Sequence, residues 1–248
     1  MSKCCQNHSL KISESNPKEY IETFDNGGGG WFGVISNQQP VTSLDIQDGA
    51  VVSSSPWWVD YNHAPPGGGY LHLIMAIMTS KKAKTFQQAE DAVGENRFVQ
   101  AGFPTDFTDA KLTVRIKGDI DLRGAQICLL IQGTVGKICS GWVLTGQPIN
   151  VHKDWSEQTI TAVCDQSQWT ALDSRHDRRE SYGTIDLKTI LRDINTNIYL
   201  VLFPLNVAPD KPIDGDPHKL RAGFDYPVDQ SKLPKGNVII DTIKIEFS

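Results

Sequence analysis

The sequence predicts an all-β protein: an antiparallel β-sandwich with long decorated loops and one or two short helices. Three observations lead there. Short stretches alternate apolar and polar residues with period two, as half-buried strands do. Gly and Pro punctuate the intervals between them. Helical periodicity is convincing in just one place, 186–193, where Thr184 or Asp186 offers an N-cap. Roughly ten short strands result, and no composition break or repeat divides them.

In chain order, residues 1–18 are polar and contain Pro17, and a poorly ordered lead-in is expected. Residues 19–248 are expected to form one sandwich domain. EYIETFD opens it as a strand, and Gly27, Gly28, Gly29 and Gly30 follow. Such a run suits a left-handed or flexible turn, or a close approach of backbone to a ligand. No GKS or GKT follows it, which argues against a phosphate loop. WFGVI and TSLDIQDGAVVSS read as strands, the second with a turn at Asp48-Gly49. The strand 70–78, YLHLIMAIM, is apolar on both faces and should lie in the middle of the sandwich. Residues 81–93 have weak helical character and begin a long excursion through Pro104, either a binding loop or a surface crossover. KLTVRIKG puts Leu112, Val114 and Ile116 on one side. AQICLLIQG and KICSGWVLTG read as a hairpin turning between Gly133 and Gly136, and WSEQTITAV alternates again. IYLVLFPL is a buried strand ending near Pro204, and NVIIDTIKIEF closes the chain.

Composition excludes several classes. A hydrophobic share of 39% is ordinary for a globular protein, and a net charge of −5 argues against nucleic-acid binding. The five cysteines form no CxxC, so neither a zinc site nor a disulfide framework is suggested. The first residues lack the apolar core of a signal peptide, and the run 71–78 is too short to span a bilayer. A cytoplasmic, membrane-free protein is the expectation.

The last strand holds an anomaly. Strict alternation places Asp241 on the same face as Ile239, Ile243, Ile245 and Phe247. A carboxylate there needs hydrogen-bond donors, an ion partner or a metal. IIDTIKIEF resembles the final strand of galactose-binding-like jelly rolls, the group that contains many carbohydrate-binding modules. KGDIDLRGAQICLLIQG and DWSEQTITAV are similar to mid-domain strands of such modules. The resemblance implies a jelly roll over residues 20–248. It also implies a structural Ca2+ held by Asp241 with Glu22 or Asp25 and backbone carbonyls. FDNGGGG after the first strand departs from the usual pattern.

The stretch 55–79 concentrates aromatic and titratable groups. Trp57 and Trp58 are adjacent and point to opposite sides in extended chain, so one indole is expected near a surface groove. Trp31, Trp57, Trp58, Tyr61, Tyr70 and His72 are the candidate ligand-binding set, since flat aromatic faces suit sugar rings. Core packing is the competing reading for each tryptophan, and a satisfied core histidine the competing reading for His72. Arg175 and Arg178, in a mixed-charge loop, are either solvated or hold an anionic group such as a carboxylate. The cluster Lys81, Lys82 and Lys84 reads as a solvated patch. Asp60 and His63, ahead of Pro65-Pro66, are candidate acid and base.

Beside a purely structural or partner-binding sandwich, two functions stay open. One is a binding protein for a glycan or a small polar-aromatic ligand. The other is a lyase, isomerase or cyclase without a redox cofactor, using Asp60 and His63.

Overall fold

The structure, a computed structural model, describes residues 17–34, 41–59, 69–173, 179–215 and 220–248. Its strands are β1 (Glu19–Glu22), β2 (Trp31–Phe32), β3 (Ile46–Gln47), β4 (Ala50–Ser54), β5 (Tyr70–Met78), β6 (Lys111–Asp121), β7 (Gln126–Val135), β8 (Ile138–Val143), β9 (Ser156–Thr161), β10 (Thr170–Leu172), β11 (Asn197–Leu205) and β12 (Lys235–Glu246). The helices are short: α1 (Phe86–Val93), α2 (Arg97–Gln100) and α3 (Leu187–Arg192). Asp186 caps α3 by accepting the Thr189 N–H, at the start the sequence predicts.

The strands form two six-stranded antiparallel sheets stacked as a jelly-roll-type sandwich. The back sheet runs β3-β4-β12-β6-β9, with β1 beside the last half of β12. The front sheet runs β10-β8-β7-β11-β5-β2. First and last strands are neighbours, Glu19 opposite Glu246.

Alternation explains the core between the sheets. Leu112, Val114 and Ile116 of β6 point inward, as do Ile127, Leu129 and Ile131 of β7 and Ile198, Leu200 and Leu202 of β11. One end is closed by aromatic rings. Phe98 packs edge-on to Tyr20 at 5.2 Å, and Phe103, Phe107 and Phe247 complete the group. β5 is buried on both faces: Ile74 and Ile77 join the central core, while Leu71, Leu73, Ala76 and Met78 join a second cluster. That second cluster lies on the outer face of the front sheet, where Phe86 and Ala89 of α1 cover part of it. Leu71, Cys128, Val201 and Phe203 on that face are also buried, and part of the remainder is open.

In β12 the structure departs from the alternation. The strand slips register against β6 between Ile240 and Thr242, and the extra residue is Asp241. Before the slip Val238 and Ile240 face inward; after it Ile243, Ile245 and Phe247 do. Asp241 therefore turns to the outer face, where Arg115 donates to its carboxylate at 2.9 Å and Thr242 at 2.7 Å.

Candidate functional site

The open part of the front sheet's outer face is a hollow of about 500 Å³. Its floor comes from outward positions of three neighbouring strands: Leu73 and Met78 of β5, Asn197 and Tyr199 of β11, and Gln132 and Thr134 of β7. Trp58, Lys82, Lys84, Lys137 and Tyr182 form the walls. Tyr182 arrives because 181–183 is stitched to β8, with the Cys139 N–H donating to the Ser181 carbonyl and the Gly183 N–H to the Cys139 carbonyl.

The floor carries a chain of polar groups inside an otherwise apolar face. Asn197 Nδ2 donates to the Tyr199 hydroxyl at 2.6 Å, and that hydroxyl donates to Gln132 Oε1 at 3.3 Å. Asn197 is buried, and its Oδ1 has no hydrogen-bond partner among the described residues. A buried acceptor left without a donor costs on the order of 1–3 kcal/mol, and this oxygen is closed off from solvent.

Charge around the hollow is of one sign. Lys82, Lys84 and Lys137 line it, and no Asp, Glu or His does among the described residues. Cys139 also lines it. Burial pushes its thiol above the ordinary range, against smaller opposing effects of a Thr134 hydrogen bond and the Lys84 charge. A thiol held protonated is a poor nucleophile.

The tryptophans divide by where their indole N–H goes. Trp31 is sealed in the core and donates to the Tyr20 hydroxyl at 2.9 Å. Trp57 is buried and donates to Ser53 Oγ at 3.0 Å. Trp142 and Trp169 are buried and donate to the carbonyls of Ile185 and Val163. Trp155 lies on the back sheet's outer face beneath Arg115 and Lys117. Trp58, half-buried, is the indole that lines the hollow.

Trp31 and Trp57 thus pack within the molecule and do not line the hollow; the inner side of the chain claims them. His72 is also an interior residue. Its Nδ1 donates to the Trp58 carbonyl at 2.7 Å, and its ring lies 6.1 Å from that of Trp57. It positions the Trp57-Trp58 pair from below. Tyr70 packs against the central core and hydrogen-bonds Tyr226. Asp60, Tyr61, His63, Arg175 and Arg178 lie outside the described residues.

Asp241, Glu22 and Asp25 do not form one cation site. Asp241 faces outward, whereas Glu22, on the inner face of β1 with Tyr20, is buried. Glu22 accepts the Phe24 N–H at 3.2 Å and lies 3.4 Å from the Arg97 guanidinium. Arg97 also donates to the carbonyls of Asn26 and Gly27 at 3.0 and 3.1 Å. The first-strand acid and turn carbonyls thus already surround a cation, the guanidinium, and do not fit Ca2+. Asp25 is exposed and accepts from Thr23. Among the described residues no group of three His, Cys, Asp or Glu could hold a metal ion.

The glycine run serves this cradle. Gly29 and Gly30 have φ of +59° and +95°. A Cβ on Gly29 would collide with the Glu22 carboxylate, and one on Gly30 would lie 2.6 Å from Asn96 Cα.

No family model and no curated protein matches the chain. Among solved structures it is similar to CtCBM11, at 13% identity and a TM-score of 0.36, covering 95% of this chain and 98% of that one. It is also similar to the apo Crh5 transglycosylase, at 9% and 0.32, covering 94% and 85%. A third likeness, at 12% and 0.34, covers 92% and 98% of a structure described with endo-acting O-glycanases by which prominent members of the human gut microbiota initiate mucin breakdown. Likeness at this level assigns neither family nor function. Among the described residues no helix is long and apolar enough to cross a membrane.

Gln132, Asn197 and Tyr199 are site residues that the sequence did not single out; Lys82 and Lys84, expected as a solvated patch, are exposed and also line the hollow. A signal was present: Gln132 interrupts the buried run of β7, and Asn197 opens the buried strand β11.

Proposed function

We propose that the protein is a binding protein for a polyhydroxylated small ligand, a glycan fragment, held in the hollow on the outer face of the front sheet. The observation that carries this reading is that one concave site combines a flat indole, Trp58, with the Asn197–Tyr199–Gln132 network in its floor. The indole offers an apolar face to sugar C–H groups. The network offers fixed donors and acceptors to hydroxyls. A hollow of about 500 Å³ is in the range of small-molecule sites rather than of extended polymer tracks.

Acid–base catalysis rests on Asp60 and His63, which lie outside the described residues. The described lining contributes no carboxylate or imidazole, and its thiol is held protonated. Binding is therefore the function the geometry supports best.

Calorimetry and tryptophan fluorescence with a panel of mono- to tetrasaccharides test the reading. A saccharide should bind, perturb the emission, and lose at least tenfold in affinity in Trp58→Ala. A panel with no binder, or a binder indifferent to Trp58→Ala, overturns it.

A further inference from the structure

We infer that the ligand of this hollow is an acidic sugar, one that carries a carboxylate or sulfate alongside its hydroxyls. The inference rests on the glycan reading above and narrows it to a charge class.

Three lysines line the hollow from two separate elements: Lys82 and Lys84 from the loop before α1, and Lys137 from the β7–β8 turn. No carboxylate lines the hollow among the described residues, although the chain as a whole carries a net charge of −5. Two lysines elsewhere have acidic neighbours: Lys153 lies 3.2 Å from Asp119, and Lys244 lies 3.1 Å from Glu19. Among the described residues Lys82, Lys84 and Lys137 have no such ion pair. A concave wall of one sign concentrates ligands of the other sign.

The Trp58 indole then separates an acidic sugar from a bare anion. Sulfate or phosphate ions have no C–H face to lay on it. A sugar acid brings hydroxyl donors for the floor, a charge for the lysine wall, and a C–H face for Trp58. These three demands are met together by that chemistry.

The experiment measures binding of matched oligosaccharides by calorimetry: galacturonate oligomers for carboxylate, sulfated galactan oligomers for sulfate, and neutral galactan oligomers of the same length. Sodium sulfate serves as the free-ion probe. At least one acidic series should bind ten times or more tighter than the neutral one. That affinity should fall about tenfold or more in the triple variant Lys82→Ala, Lys84→Ala, Lys137→Ala. It should also weaken as sodium chloride is raised, since exposed charges are screened. All three lysines are exposed, and circular dichroism checks that the triple variant folds. If neutral oligomers bind equally well and the triple variant is unaffected, the charge inference falls while the glycan reading stands. If free sulfate competes as tightly as any sugar binds, the acidic-sugar assignment falls. If neither charged nor neutral sugars bind, both readings fall.

Discussion

Glu22 and Asn197 are polar side chains buried to the same depth, 2% and 3% exposed, on strands of opposite sheets. Their surroundings differ. The Glu22 carboxylate meets a backbone N–H, the Tyr20 hydroxyl and the Arg97 guanidinium, all from this chain. The Asn197 oxygen meets nothing among the described residues. The first region is electrostatically finished and serves the fold. The second is unfinished and lies in the floor of a hollow. The contrast separates a structural polar cluster from a candidate binding site more sharply than burial or residue type does.

Substitutions can break that comparison. The largest effect is expected in the finished region. Arg97→Met leaves a buried carboxylate without its cation, and urea unfolding should show a loss of about 2–4 kcal/mol, below the full cost of a broken buried pair because Arg97 is 42% exposed. Gly29→Ala combines a strained φ with a collision against Glu22, and should cost upwards of about 2 kcal/mol by the same measurement. Asn197→Ala should cost less than either, about 1 kcal/mol or below, because it removes an unfilled acceptor along with one hydrogen bond. Equal losses at Arg97 and Asn197 would erase the distinction between the two regions.

Smaller effects sharpen it. Arg115 and Asp241 are a third, outer-face pair, each about a third exposed. Burial works to raise the Asp241 carboxyl, but Thr242 and the Arg115 hydrogen bond and charge outweigh it and hold it below the ordinary range. Its stabilising contribution is therefore present above the unfolded carboxyl value and fades as pH falls through the lower folded value. Arg115→Met should cost under about 1 kcal/mol near neutrality and flatten that acid dependence, read from melting temperatures against pH. Smallest of all, the melting temperature should not move with added Ca2+ or a chelator, because Arg97 fills the first-strand cradle and Asp241 faces away from it.

How much of this was legible in the sequence follows from which residues carried it. The two-layer fold was legible, because alternation in β6 and β9 reports one-sided burial directly. The doubly apolar β5 was legible too, although its second covered face is the outer side of a sheet rather than the space between sheets. The opposed directions of Trp57 and Trp58 were readable from backbone geometry. Asp241 was misplaced because a bulge reverses the inward phase half-way along β12. Isoleucines at both odd and even positions, Ile239 and Ile240, hide that reversal. The hollow's floor was not legible because Gln132, Asn197 and Tyr199 meet by strand pairing, which single-strand periodicity does not encode.

The adjacency of β1 and β12 also sets a direction. Glu19 and Glu246 are opposite each other on the back sheet, and the hollow is on the front. A bead or a dye attached at Glu19 or Glu246 would sit on the sheet opposite the one that carries the lysine-rimmed mouth, leaving that mouth toward whatever solution flows past.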